Sequence, residues 1–143
     1  MIQIEPYLFF NGRCEEAIQF YQQTLGAEVQ FMLRNRENPE PQSAAPEDCR
    51  LPPGTDDKVM HATVRVGNTN MMMSDGLCDG KPVFEGFRLS FTVADAAAAD
   101  RIFNALGAGG SVQMPLAKTF WSPCFGMLTD RFGVGWMVSV AAT

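Results

Sequence analysis

The chain has 143 residues, of which 46% are hydrophobic and 19% charged, and a net charge of -5, the make-up of one compact globular domain that can bury its own core. The acidic balance argues against nucleic acid as a partner, because phosphate contacts need clustered Lys and Arg. There is no apolar run of 18 or more residues and no basic segment leading into an apolar one, so no membrane partner is expected and the cytoplasm is the expected location.

Ile4–Phe10 reads as a strand rich in aromatic residues. Asn11 is the expected N-cap of a helix whose stripe is Ala17, Ile18, Tyr21 and Leu25, closed by Gly26. Glu28–Leu33 follows as a strand. Asn35 to Asp57 holds five prolines and few apolar residues, and a connection this long is either a mobile loop or a lid. Lys58–Val66 and Thr69–Ser74 form a hairpin turning at Gly67-Asn68.

The second half runs through a strand at Gly86–Val93, an expected N-cap at Asp95, a helix at Ala96–Leu106 and strands at Ser111–Leu116, Phe125–Thr129 and Trp136–Val140. Leu25-Gly26-Ala27 returns as Leu106-Gly107-Ala108, and Leu25 and Leu106 are 81 positions apart. Gly107 is therefore expected to repeat the helix-ending role of Gly26. A period this long is not that of a solenoid. The expected fold is α+β: two tandem βαβββ units forming a curved sheet around a cavity, with helices on the outer faces. The pseudo-repeats span 1–75 and 86–143 within a single domain, joined by a linker at 76–85.

Strand alternation gives the candidate site. His61, the single histidine, shares a face with Thr63 and Arg65, while Met60, Ala62, Val64 and Val66 are expected to face the helix. Arg88, Ser90 and Thr92 likewise alternate with Phe87, Leu89, Phe91 and Val93. These polar and basic side chains suit a polar or anionic small molecule, with His61 as acid, base or donor. A solvated sheet face or a dimer seam is the alternative. Thr119, Phe120 and Trp121 are a second candidate, for stacking on a planar ligand or for an interface, against plain core packing. Trp136 is expected in the core. Asp75 before Gly76 and Asp130 before Arg131 fit turn formation first and catalysis second.

The four cysteines, Cys14, Cys49, Cys78 and Cys124, stand 35, 29 and 46 residues apart. They match no metal or redox motif and read as free thiols. Cys124 lies near the aromatic segment without an evident basic partner for a reactive thiolate.

Several segments resemble the vicinal oxygen chelate superfamily (glyoxalase I, bleomycin- and fosfomycin-resistance proteins, extradiol dioxygenases), and most closely its PhnB-like branch. They are Tyr7-Leu8-Phe9-Phe10-Asn11-Gly12, Phe20-Tyr21 with Leu25-Gly26, His61-Ala62 with Val64-Arg65, Met73-Ser74-Asp75-Gly76, Thr119-Phe120-Trp121 and the long run from Phe125 to Val138. Proteins of this branch have also been labelled as resembling 3-demethylubiquinone-9 3-methyltransferase. The chain has no Gly-rich βα turn of the Rossmann type to go with that label.

The resemblance implies metal ligands on the first and last strands of each unit. Those places hold Pro6, Phe87 or Arg88, Met137 or Val138, and Met72, Met73 or Ser74. The usual His, Gln and Glu ligands are absent, so the cofactor is unknown and no metal-ligating residue is assigned. A copper site on Met71-Met72-Met73 is disfavoured, because alternation places Met72 opposite its neighbours. The resemblance further implies a small-molecule ligand and a homodimer. Two functions follow as expectations: a lyase- or isomerase-type enzyme acting on a small polar metabolite, or a non-catalytic dimer that sequesters a drug or metabolite.

Overall fold

The structure, a computed structural model, describes residues 1–142. The chain divides into two compact units, Met1–Pro82 and Val83–Thr143. Each contains one helix and one open four-stranded sheet.

In the first unit, β1 (Tyr7–Phe9) leads into α1 (Cys14–Leu25), followed by β2 (Glu28–Arg34), β3 (Val59–Val66) and β4 (Thr69–Ser74). The sheet order is β1-β4-β3-β2. β1 runs parallel to β4, and the other pairs are antiparallel. Alternation buries Leu8, Ala62, Val64, Met71 and Met73 on one face. Ala17, Ile18, Phe20 and Tyr21 of α1 complete that core. Met72, between two buried methionines, is half-buried on the opposite face, as the alternation requires.

The strand expected from Ile4 is confined to Tyr7–Phe9. Ile4 is exposed, and the proline at position 6 has no N–H to give a ladder, although its carbonyl accepts from Met72 N at 2.9 Å. Met60 also departs from expectation. It is exposed, while Val59 is buried, because the register of β2 on β3 shifts between Leu33 and Arg34.

Asn11 does not cap α1. It adopts a left-handed conformation (φ 48°), and its side chain donates to the Lys81 carbonyl. The helix starts at Cys14, and the cap comes from Asp75, 61 residues away, whose Oδ1 accepts from Cys14 N at 2.8 Å. At the other end Gly26 takes φ 67° and ends the helix as expected.

The long connection after β2 contains three single 3₁₀ turns, at Asn35–Glu37, Gln42–Ala44 and Glu47–Cys49. Side chains close it at its base. Asn35 Nδ2 donates to Thr55 O at 2.7 Å, and Arg34 donates to Asp57 O at 2.8 Å while pairing with Glu15 of α1. The guanidinium holds the Glu15 carboxyl below its ordinary range.

The second unit repeats the plan with β5 (Leu89–Val93), α2 (Ala96–Gly107), β6 (Ser111–Ala117), β7 (Phe125–Thr129) and β8 (Gly135–Val140). Its sheet order is β5-β8-β7-β6, again with the first pair parallel. Asp95 caps α2 through Ala98 N at 2.8 Å, as expected. Trp136, Val138, Leu128 and Val134 fill the core with Ala99, Phe103 and Leu106 of α2.

The two helix ends are not equivalent. Gly107 is still helical, and the positive φ falls on Gly109. The matching tripeptides thus mark equivalent helices with a two-residue difference in how the chain leaves them. The strand expected from Gly86 starts only at Leu89, and Phe87 is exposed rather than in the core.

Candidate functional site

The open face of the first sheet carries a hydrogen-bonded chain of three side chains. Cross-strand register aligns Tyr7 with Met72 and Thr63 with Met72, and sets Phe31 beside Thr63 and Leu33 beside His61. Tyr7 Oη lies 2.8 Å from His61 Nδ1. His61 Nε2 lies 3.2 Å from Thr63 Oγ1. Aromatic rings surround the imidazole: Tyr7 at 5.5 Å and Phe31 at 6.1 Å between centroids, with Phe9 stacked on Tyr7 at 4.9 Å.

Both nitrogens of His61 therefore meet hydroxyl groups, which donate or accept with equal ease. With Tyr7 donating to Nδ1, the Nε2–H donates to Thr63. In the other tautomer Nδ1–H donates to Tyr7 and Thr63 donates to Nε2. In the imidazolium both nitrogens donate. The ring can gain or lose a proton in this setting without orphaning a partner. Burial raises the Tyr7 phenol above its ordinary range, an effect partly offset by the Ser74 hydroxyl. At neutral pH that group stays protonated and able to donate.

His61 and Thr63 are thus brought together. Arg65 shares their face but is exposed, and its Nε folds back onto Gly67 O at 3.0 Å. Tyr7 and Phe31 stand beside His61 and are not among the candidates singled out from the sequence. Alternation within Tyr7-Leu8-Phe9-Phe10 was the available signal, since Leu8 and Phe10 are buried while Tyr7 and Phe9 are exposed.

In the second unit, Arg88 lies across Gly135, where a Cβ would come within 3.0 Å of Arg88 Cγ and 3.1 Å of Nη1. Arg88 Nη1 donates to Leu128 O at 2.9 Å and reaches Gln113 Oε1 at 3.5 Å. Thr129 donates to the same Gln113 oxygen at 3.0 Å, and Gln113 donates to Ser111. An open pocket of about 620 Å³ adjoins this network. Ser90 is exposed on the strand face.

Thr119, Phe120 and Trp121 form a turn locked at its base. Thr119 N and Ser122 O are 2.9 Å apart, and Ser122 N donates to Thr119 Oγ1 at 3.1 Å. Buried Ser122 ties the turn to β8 through Val140 O at 2.7 Å. The Thr119 hydroxyl is engaged in the turn. Phe120 is 96% exposed and packs edge-on to Trp121, which packs edge-on to Phe125.

Asp75 and Asp130 are buried organisers of turns. Asp75 accepts from Gly12 N, Cys14 N and Val59 N at 2.7–2.8 Å. Asp130 accepts from Phe132 N, Val134 N and Trp136 Nε1 at 2.9–3.1 Å. The cysteines are unpaired. Burial, reinforced by Asp75, pushes the Cys14 and Cys78 thiols up, which disfavours their thiolate forms.

The donor set does not fit a divalent metal. Arg88 and Met137 line the second-unit pocket, where the superfamily resemblance expects ligands, and Pro6 stands at the corresponding place in the first unit. A guanidinium has no lone pair to give, and thioether favours soft ions. Among the described residues no three His, Cys, Asp or Glu side chains form a group that could hold a metal ion. No helix among them is long and apolar enough to cross a membrane.

The family described as 3-demethylubiquinone-9 3-methyltransferase matches residues 2–139. Protein YjdN of Escherichia coli is 39% identical over 140 residues, covering 96% of this chain and 94% of that protein. The crystal structure of PA1353 from Pseudomonas aeruginosa is 44% identical with a TM-score of 0.83, covering 99% of this chain and 98% of that one. A PhnB protein from Bacillus cereus is 28% identical with a TM-score of 0.79, covering 98% and 100%. The fold alone is shared with a glyoxylase/bleomycin resistance protein/dioxygenase domain from Frankia, 12% identical with a TM-score of 0.67 over 99% and 97%.

Proposed function

We propose that this chain, which belongs to the 3-demethylubiquinone-9 3-methyltransferase family and its PhnB-like group within the glyoxalase/bleomycin resistance/dioxygenase superfamily, binds a small polar metabolite on the open face of its first sheet. His61 acts there as the proton carrier. The observation that carries this reading is the Tyr7–His61–Thr63 chain, with both imidazole nitrogens on hydroxyl partners at 2.8 and 3.2 Å. The chemistry it suits is proton transfer of the isomerase or lyase kind. The proton passes between substrate and His61 through a partner hydroxyl: Tyr7 or Thr63 gives its own proton to the ring nitrogen it faces as it takes one from the substrate, and the reverse sequence returns it. Methyl transfer has no support from the topology, since neither sheet has the parallel, doubly wound order of a Rossmann-type cofactor fold.

The single histidine makes the test direct, because its ring gives one set of NMR signals. A metabolite that binds here is expected to shift the His61 ring signals, and His61→Gln to lower turnover of that metabolite by about 10²–10⁴-fold. Turnover unchanged in a folded His61→Gln protein would sink the assignment.

A second reading, a homodimer that sequesters planar molecules, is favoured by the exposed Phe120-Trp121 pair on its rigid turn. Trp136 is buried, so an added ligand acts mainly on Trp121 emission. Saturable quenching by planar cationic antibiotics, lost in Trp121→Phe, is the expected result, with a dimer seen by light scattering at micromolar concentration. A flat response across the panel, or a monomer, counts against it. The unpaired cysteines suit a reducing compartment, in keeping with a cytoplasmic protein.

A further inference from the structure

We propose that the second unit carries its own binding site, independent of His61, for a small organic monocarboxylate seated on Arg88. Three observations converge on it. The first is a positive group fixed before any ligand arrives. Arg88 is half-buried, and Nη1 is held by Leu128 O at 2.9 Å. Gln113, itself fixed by Thr129 and Ser111, stands beside it. Nε and Nη2 have no protein acceptor among the described residues. A guanidinium offers paired donors in a plane, the geometry that a carboxylate accepts.

The second observation is the space. The pocket of about 620 Å³ is lined by Arg88 and Thr129 together with Phe84, Phe87 and Met137. A polar anchor with apolar and aromatic walls suits an acid with a hydrocarbon or aromatic body, not an inorganic ion. The third is Gly135. A Cβ there would press on Arg88 Cγ, Nη1 and Cζ at 3.0–3.4 Å, so a side chain at this position would push Arg88 aside by a few tenths of an ångström and glycine lets it lie flat against β8.

Glu85 on the rim sets the ligand's charge. It is exposed and forms no ion pair with Arg88 among the described residues. One carboxylate is matched by Arg88, whereas a second negative charge would face Glu85. A monoanion is therefore the favoured class.

The test uses the full ¹⁵N-labelled chain with phenylacetate and its neutral isostere phenylacetamide as probes. Phenylacetate is expected to move the amide signals of Arg88, Thr129, Gly133 and Gly135 saturably, and to bind at least tenfold more tightly than the amide. Arg88→Gln is expected to lower the carboxylate's affinity at least tenfold and to leave that of the amide unchanged. Equal affinity for acid and amide, absence of saturable shifts at these residues, or unchanged carboxylate binding in a folded Arg88→Gln protein each overturn the proposal. Should that variant fail to fold, the comparison of acid with amide on the unaltered chain decides. The two sites are read on different signals, the amides of Arg88 and Gly135 here and the His61 ring in the first test, which separates failure of this site from failure of the first.

Discussion

Asp75→Ala is expected to lower stability by about 3–5 kcal/mol, read as a fall in the urea midpoint with little change in slope. The carboxylate is 1% exposed and accepts three backbone N–H groups. Oδ1 takes Gly12 and Cys14, and Oδ2 takes Val59. One side chain thereby caps α1, fixes the turn that precedes it and holds the start of β3. Alanine would leave three donors facing a dry space, each costing about 1–3 kcal/mol if no water replaces the oxygen. The negative charge also lies at the helix N-terminus, where the aligned peptide dipoles favour it. Asp75→Asn separates these contributions. Its amide oxygen can still accept from Gly12 and Cys14, but its NH₂ would confront the Val59 N–H, so an intermediate loss is expected. A loss below about 1 kcal/mol in the alanine variant would show that Asp75 does not organise the unit.

Gly110→Ala is expected to be comparably severe, at about 3 kcal/mol or more. A Cβ at this position would overlap the Thr129 carbonyl oxygen and lie 2.8–2.9 Å from Asp130 C and Cα. These are backbone atoms, and they cannot rotate away as a side chain would. Ser111 pairs with Thr129 in the next step of the ladder, so relieving the clash means opening the start of β6. Faster amide exchange at Ser111 and Val112 should accompany the lower urea midpoint. Gly80 is the control: it has a negative φ and nothing within 4 Å of a built Cβ. Gly80→Ala should stay within about 0.5 kcal/mol of the parent.

The two glycines look alike in sequence, each in a turn-like stretch between elements. Their difference is the closeness of a strand that is distant along the chain. Asp75 is similar. Its neighbour Gly76 suggests an Asp-Gly turn, and a turn is present, with Cys78 N bonded to Asp75 O at 3.2 Å. The carboxylate's three partners lie 16 to 63 residues away, beyond the reach of any local motif. The same holds for the helix cap. Asn11 has the right chemistry for one, but its left-handed backbone turns the chain before the helix begins, and Asp75 supplies the oxygen instead.

Strand periodicity carries further, because which face a side chain takes is a local property. The positions of His61 and Thr63 opposite Ala62 and Val64 follow from alternation alone, and so does Met72 opposite Met71 and Met73. Tyr7 was hidden by the company it keeps. Alternation sets Tyr7 and Phe9 opposite Leu8 and Phe10, but in a run of aromatic and apolar residues nothing local says which of the two faces is the core.

By itself, then, the sequence determined the repeated strand–helix–strand order, the faces of the strands where no bulge intervenes and the unsuitability of the residues at the superfamily's metal positions, all properties of spacing and side-chain chemistry. Only the tertiary structure decided which groups meet. Tyr7 reaches His61 across β4, Arg88 lies on Gly135, and Asp75 gathers the ends of α1 and β3. The physical reason is that hydrogen bonds and steric contacts act over a few ångströms of space, and the strand pairing that creates those distances joins residues tens of positions apart.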